Sequence, residues 1–503
     1  MLCDYVRKGL LSWKAAVQLT RDVLFMNSNK LYRLGLEFTE LSDEWSTGAG
    51  DGADGSRSDL DVLEYFLKGK PAPDLVRISW MDFTAMPRMR MIPFRRIMSI
   101  LEQGNSPDIG ITKACLGLLQ NDVLIPGLAA TGEYRLHPDF SSLHHGPVRG
   151  QISMYGEFRE KDGSRIPLCP RTQLIRATEF AAERNLKILV GFEIEFVLLE
   201  RLDTTKAPRR YETLNNDGHA WSVSRYFADP RVQKLLRDMV EELATAGIFV
   251  EQVHAESATG QFELVLPPLP PVEAVDTLLH ARDTIAALAN AAGLKLTLHP
   301  KPFAKTCGTA GHAHLSLAGV KNGTEPPTKV YAAFYAGILK HLRAINAFTL
   351  SSPASYERVA DGCWAGGRWV SWGTQNRETA LRKIEGSHWE LKCLDGLANP
   401  YLALAAVFLA GAHGVAEGEV LTWGDCEVDP ALLTDNDRAE LGVTQMLPAG
   451  VEEALEALQG DDVMVGLLGD ELVERYVAVK EAELEMLSTM KEEERRQWIM
   501  ERY

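Results

Sequence analysis

Four short stretches of this sequence set acidic or imidazole side chains two residues apart between apolar ones. In Gly191-Phe192-Glu193-Ile194-Glu195-Phe196 the alternation predicts a strand with both glutamates on one face. Phe192, Ile194 and Phe196 then face a core. Gln261-Phe262-Glu263-Leu264, His312-Ala313-His314-Leu315 and Trp389-Glu390-Leu391-Lys392 repeat the pattern. Carboxylates gathered on one concave surface repel and raise one another's pKa, and bound divalent cations are the usual means of keeping them ionised. Carboxylate oxygens with one imidazole per site suit Mg²⁺ or Mn²⁺ rather than zinc thiolate chemistry. A lone Glu-x-Glu or His-x-His is more often a solvated or packing face. The convergence of four such strands is what points to a metal-dependent site.

The elements that position these residues follow from the same periodicities. Strands are predicted over 75–81, with 88–93 as a hairpin partner, and over 187–199, 261–266, 295–299, 312–317 and 389–393. Helices are predicted over 61–68, 231–246, 271–292, 328–348 and 399–415, and 166–184 reads as a connector leading into another. Strands and helices alternate irregularly, with no βαβ glycine fingerprint, so the fold class is α+β. The stretch TGAGDGADGSRS over 47–58 is expected to be a flexible linker that ends an N-terminal extension, 1–58. Residues 470–503 form a charged amphipathic run, expected as a solvated or subunit-contacting helix.

Charge and composition exclude several classes. The net charge of −16 over 503 residues argues against nucleic acid, which needs a basic stripe, while leaving room for anionic substrates in a locally positive site. No apolar run approaches the ~20 residues that span a bilayer, so no membrane association is expected. The first 25 residues carry Asp4 and Asp22 and lack a secretory pattern. The seven cysteines stand singly, with no C-x-x-C pair, which fits a reducing compartment and a cytoplasmic location.

The order of motifs resembles the glutamine synthetase family. Glu193-Ile-Glu195 is followed by His254-Ala-Glu256-Ser-Ala-Thr-Gly260-Gln261-Phe-Glu263, Pro300-Lys301-Pro302 and Gly311-His312-Ala-His314. Tyr356-Glu-Arg358, Asn376-Arg377, Arg382, Glu390 and Asn399-Pro400-Tyr401 complete the series, closest to the type I-like branch with its fungal members and γ-glutamyl-amine ligases. The resemblance implies a β-grasp domain over 59–165 and a glutamine synthetase/guanido kinase-like catalytic domain over 166–503, built on a curved antiparallel sheet. It also implies rings, stacked as dodecamers, in which neighbouring subunits complete each active site. ATP would be co-substrate, with two or three Mg²⁺ or Mn²⁺ ions per site.

Carried over by position, Glu195, Glu256 and Glu263 would hold one metal, and Glu193, His312 and Glu390 a second. His314 would approach the ATP phosphates, and Arg377 and Arg382 would neutralise the transferring phosphoryl group. Arg358, with Cys307, Gly308 and Lys392, would border the carboxylate substrate, and Asp82 would face the incoming amine in the adjacent subunit's funnel. The small-molecule partners would be a carboxylate and an amine, joined through an acyl phosphate.

Three positions depart from the family pattern. The flap usually reads Gly-Tyr-Glu-Ala-Pro; here it is Gly362-Cys363-Trp364-Ala365-Gly366, with Trp364 at the glutamate's place. Indole has no lone pair to accept a proton from ammonium, but it can enclose a larger amine. Cys307 replaces a usual asparagine and Lys392 a usual arginine, which loses the bidentate fork. The expectation is therefore γ-glutamylation of an amine other than ammonia. The alternatives are a true glutamine synthetase and a catalytically silent scaffold or sensor.

Overall fold

The computed structural model describes residues 58–202, 210–214, 220–305, 307–320 and 323–503. Apart from Ser58, the expected extension and linker lie outside the described residues. Ser58 caps the first helix, Asp59–Leu67: its hydroxyl accepts from the Asp61 amide at 3.2 Å while Asp61 accepts from the Ser58 amide at 3.0 Å.

Two sheets follow. The first contains β1 (Leu75–Met81), β2 (Pro87–Pro93), β3 (Ile109–Thr112), β4 (Glu133–Pro138), β5 (His144–His145) and β6 (Gln151–Arg159). Its order is β2-β1-β6-β4-β3, with β5 beside β6, and β1 runs parallel to β6 while the other pairs are antiparallel. The helix Phe94–Glu102 packs against β1 and β2.

The second sheet contains β7 (Leu186–Arg201), β8 (Tyr211–Thr213), β9 (Gln252–Ala255), β10 (Gln261–Val265), β11 (Leu294–Thr297), β12 (Ala313–Gly319), β13 (Trp372–Thr374), β14 (Leu381–Glu385) and β15 (His388–Leu391). Its order is β13-β14-β15-β12-β7-β10-β9, and β8 and β11 also pair with β7. The pairings are antiparallel except β13 with β14. β7, at 16 residues, pairs with β12 through its first half and with β10 and β11 through its second. It is central because its apolar positions Ile188, Val190, Phe192, Ile194 and Phe196 are all buried against helices.

The helices Pro170–Glu183 and Pro271–Ala291 cover β7, and Pro400–Glu417 packs between Pro170–Glu183 and Thr328–Lys340. Pro400–Glu417 is long and apolar enough to cross a membrane, but it lies in the core with 78% of that window buried. Its limits are written locally: Asn399 accepts from the amides of Tyr401 and Leu402, Pro400 opens the helix, and Gly418 ends it in the left-handed region at φ 66°. Where it meets Thr328–Lys340 the two backbones nearly touch. A Cβ on Gly414 would stand 2.5 Å from the Ala333 carbonyl, and one on Gly337 would stand 2.4 Å from the Ala410 carbonyl.

The structure differs from the predicted elements in several respects, and β3 to β6, β8 and the helix Phe94–Glu102 have no predicted counterpart. The helix expected over 328–348 divides at His341 (φ −105°) into Thr328–Lys340 and Leu342–Thr349, with the His341 ring held 2.6 Å from Asp461. Strands β9, β13 and β14 are too short to show a period. The tail is helical as expected, but it divides into Asp470–Ser488 and Glu492–Arg502 and is not wholly solvated: Tyr476, Lys480 and Glu483 of the first helix are buried. Glu483 accepts from Gln120 at 2.5 Å and from Lys480 at 2.7 Å, so the tail is fastened to the first sheet's connecting loop.

Gly414→Ala should lower stability by about 1–3 kcal/mol, because overpacking against backbone outweighs alanine's helix propensity. Urea unfolding followed by circular dichroism will measure it. A midpoint at or above wild type would show that the helices can separate freely.

Candidate active site

Strand register alone gathers most of the chemistry. Glu263 on β10 stands opposite Glu195 on β7 and His254 on β9. Glu390 on β15 stands opposite His314 on β12 and Arg382 on β14. Directly opposed residues have Cβ atoms ~5 Å apart, so each row is a contact set. The rows meet at Glu193 on β7, whose amide donates to the His312 carbonyl at 3.1 Å. Glu193, Glu195, His254, Glu263 and His314 line the floor of a cleft of about 720 Å³, and Glu390 and Arg382 sit behind it.

The acidic groups separate into two clusters. His254, Glu256 and Glu263 form one, and Glu193, His314 and Glu390 the other; in each, one ligand atom per residue lies within 4.8 Å of the rest. Each grouping differs by one residue from that implied by the resemblance. Glu195 lies opposite Glu263, but its Oε2 accepts from Gln261 Nε2 at 2.6 Å and from the Ala310 amide at 2.9 Å. His312 lies between the carboxylates of the second cluster, with Nδ1 2.8 Å from Glu193 and 3.3 Å from Glu390.

The electrostatics of the two halves are opposite. Burial, then the Glu263 charge, pushes the Glu195 carboxyl up to about 8. Burial raises Glu263 and Glu256 as well, although His254 works against it. In the other half burial is overcome. Hydrogen bonds from His312 and His314 hold Glu193 far below the carboxylate range. Lys392, then His312, holds Glu390 down at about 2, with Lys392 Nζ 3.1 Å from Glu390 and 3.3 Å from His312.

Oxygen-rich clusters with imidazole suit a hard divalent cation. The His254 half fits one particularly: no lysine or arginine reaches its carboxylates in an ion pair among the described residues, His254 being their close partner at 3.2 Å from Glu263, and the buried Nδ1 of His254 makes no hydrogen bond there.

The walls hold the remaining expected residues. Arg358, Arg377, Lys392, Trp364, Cys307, Gly308, His312 and His314 all line the cleft. Arg358 is buried and donates to the carbonyls of Lys392 at 3.2 Å and Leu394 at 3.4 Å. Gly308 admits it: a Cβ there would stand 2.3 Å from Arg358 Cγ. Arg377 lies near enough to Glu256 to favour its charge. Arg382 is anchored by Glu390 at 3.0 Å and Gln375 at 2.7 Å and sits behind the floor.

Asp82 does not line this chain's own cleft, whereas the expectation placed it in the adjacent subunit's funnel. Its carboxylate is 1% exposed and accepts from the Thr84 amide and hydroxyl, the Met86 amide and Arg88 Nε, all within 3.0 Å. Those four donors organise its own turn.

Sequence reasoning assigned no role to His254 or His388, whose Nε2 lies 3.0 Å from His314 Nδ1. Each stands two residues before a floor glutamate, so the same alternation extended by one step would have found both. Trp221, which lines the opposite rim and is 64% exposed, left no periodic signal.

With this geometry in view, comparisons with known proteins define the class. Residues 167–503 match the family described as "Glutamine synthetase, catalytic domain". The chain belongs to the glutamine synthetase family, whose members are ATP-dependent, use divalent metals and form C–N bonds; it is a C–N ligase. It is 40% identical to Protein fluG of Emericella nidulans over 99% of its own length, and spans 56% of that relative. It is 31% identical to "Gamma-glutamylpolyamine synthetase GlnA3" of Streptomyces coelicolor, over 80% of this chain and 88% of the relative. A solved "novel glutamine synthase homolog" superposes with a TM-score of 0.71 at 26% identity, over 86% of this chain and 99% of that one.

Two measurements check the cation reading. A cation must displace the proton on Glu195, so Mn²⁺ affinity should weaken by up to ~10-fold per pH unit below pH 8. The sign follows from its raised pKa: the cation-free fold holds a proton that the unfolded chain releases, so its stability falls as pH rises from about 5 to 8. Titration calorimetry and thermal melts across that range read both, and a flat profile would contradict the assignment. Glu263→Gln should leave the cation-free melting temperature unchanged or higher, by removing the repulsion with Glu195, while weakening Mn²⁺ binding at least ~10-fold. Unchanged binding would remove Glu263 from the ligand set.

Proposed function

We propose that this chain is an ATP-dependent carboxylate–amine ligase that works through an acyl phosphate and γ-glutamylates an amine other than ammonia. The observation that carries the reading is Trp364, 60% exposed on the cleft wall, where it offers an aromatic face instead of a proton acceptor. Similarity to the polyamine synthetase GlnA3 supports it, as does 27% identity over 71% of this chain to "Glutamate--isopropylamine ligase" of a Pseudomonas species.

In this reading the two floor clusters hold two or three Mg²⁺ or Mn²⁺ ions, which supply positive charge toward phosphate oxygens. The resident side chains do the rest. Arg377 on the wall and Arg382 behind Glu390 offset charge on the transferring phosphoryl group, with His314 beside the nucleotide phosphates. Arg358 and Lys392, bordered by Cys307 and Gly308, orient the acid. Lys392 binds as a point charge and not as a fork, which recasts the carboxylate pocket. The same reading divides the chain into an N-terminal extension to residue 58, a β-grasp domain over 59–165 and a catalytic domain from 166. It takes the enzyme as cytoplasmic and assembled in dodecameric rings that share active sites between subunits.

The test is an ADP-release screen with Mg²⁺ or Mn²⁺, crossing glutamate and other amino acids with ammonium, small alkylamines and polyamines, with product masses read from positive wells. A γ-glutamyl amide of an alkylamine or polyamine is expected, with kcat/KM at least ~10-fold above that for ammonium. Preference for ammonium would make the chain a glutamine synthetase. Silence across the screen would make it a ligand-binding scaffold.

A further inference from the structure

Amide formation sets a requirement that the cleft floor does not meet. Near neutral pH an alkylamine is an ammonium ion, its pKa being ~10, and it must lose a proton before its lone pair can attack a carbonyl. The floor carboxylates have other partners: Glu193 and Glu390 lie against His312, His314 and Lys392, Glu195 accepts from Gln261 and the Ala310 amide, and Glu256 and Glu263 group with His254 in a candidate cation site. Glu251, on the wall, is exposed and has no aromatic or cationic partner given among the described residues.

Glu378, between β13 and β14, stands differently. Its Oε1 accepts from the Trp364 amide at 2.7 Å, while Oε2 is buried without a hydrogen-bond partner among the described residues. Shielding a carboxylate oxygen from water with no donor is costly, and the cost marks a place where a donor belongs. The loop above it is firmly seated. Arg368 Nε donates to Asp361 at 2.8 Å to close its base, and the Gly366 amide donates to the Arg377 carbonyl at 3.2 Å. A Cβ on Gly367 would come within 2.5 Å of the Glu378 carbonyl. Trp364 itself is held in the left-handed region at φ 55°, an uncommon conformation for a bulky residue. The loop thus seats Trp364 on the cleft wall with the Glu378 carboxylate behind it at the Trp364 amide, and a carboxylate with a ring face recognises an alkylammonium through charge and π-face together.

We propose that Glu378 receives the acceptor's ammonium group beside Trp364 and takes the proton that frees it for attack. This rests on the ligase reading above. Burial raises the Glu378 pKa, with Asp429 adding to it and the Trp364 and Gly362 amides and Lys392 opposing, and the net rise makes its carboxylate a better proton acceptor. The step balances as follows. R–NH₃⁺ gives one proton to Glu378 Oε2, and the amine lone pair forms the C–N bond at the acyl carbon. The C–O bond to phosphate breaks with its electron pair, the departing phosphate takes the second proton from nitrogen, and the third remains on the amide. Glu378 then returns its proton to solvent.

Hydroxylamine separates this role from a structural one, because it is neutral near pH 7 and needs neither ammonium recognition nor deprotonation before attack. In Glu378→Gln, which keeps an acceptor for the Trp364 amide, the ratio of alkylamine to hydroxylamine turnover should fall at least ~100-fold. An unchanged ratio, with both rates lowered together, would overturn the proposal and leave Glu378 a loop anchor. If that variant does not fold, Glu378→Asp carries the test: it keeps the charge at shorter reach, and its ratio should fall less steeply, whereas a wild-type ratio would overturn the proposal. A wild-type protein that makes neither the alkylamide nor the hydroxamate overturns the ligase reading itself, and this inference with it.

Discussion

Two buried glutamates, Glu195 and Glu263, face each other across adjacent strands, and like charges so placed destabilise a sheet. The surrounding structure is arranged to tolerate them. Gln261 and the Ala310 amide donate to Glu195, His254 lies 3.2 Å from Glu263, and Arg358 adds positive charge from the wall. Burial, and after it the Glu263 charge, still pushes the Glu195 carboxyl up. A divalent cation would relieve both, which is the physical ground for proposing a cation site in this half.

The other half is built to the opposite specification. Lys392 and Arg382 both reach Glu390, and two imidazoles reach Glu193, so these carboxylates stay ionised on protein charges alone. Register explains the asymmetry. Glu390 on β15 and Lys392, one residue past its end, are two residues apart and meet at 3.1 Å, whereas β10 offers Gln261 and Glu263 at the equivalent spacing. A single residue type at one strand position sets whether its half supplies its own counter-charge or must recruit it.

Several long elements were legible because each carried a full period, although β6, buried along nearly all of its nine residues, was not. β7 announced itself by alternation, and Pro400–Glu417 by Asn399, Pro400 and Gly418 at its ends. β9, β13 and β14 were not, since their three to five residues acquire strand geometry only from neighbours that the sequence does not name. The same division holds for the site. The glutamates and histidines on β7, β10, β12 and β15 could be read as sets, and the structure places them on one floor. Asp82 could not be judged, because a turn aspartate that satisfies its own backbone and one that faces a substrate look alike in a sequence. Glu378 was invisible for a related reason: its significance lies in an oxygen without a partner, which only packing reveals.

Both clusters hang from β7, a continuous strand fixed by hydrogen bonds to β8, β10, β11 and β12. A strand held on both edges cannot stretch, so the spacing between the two halves of the floor is invariant under any motion the protein makes. Adaptation is left to the connecting segments around the rim, such as the one that carries Trp364. Loop positions on the rim can therefore be rewritten while the sheet that gathers the two clusters is kept.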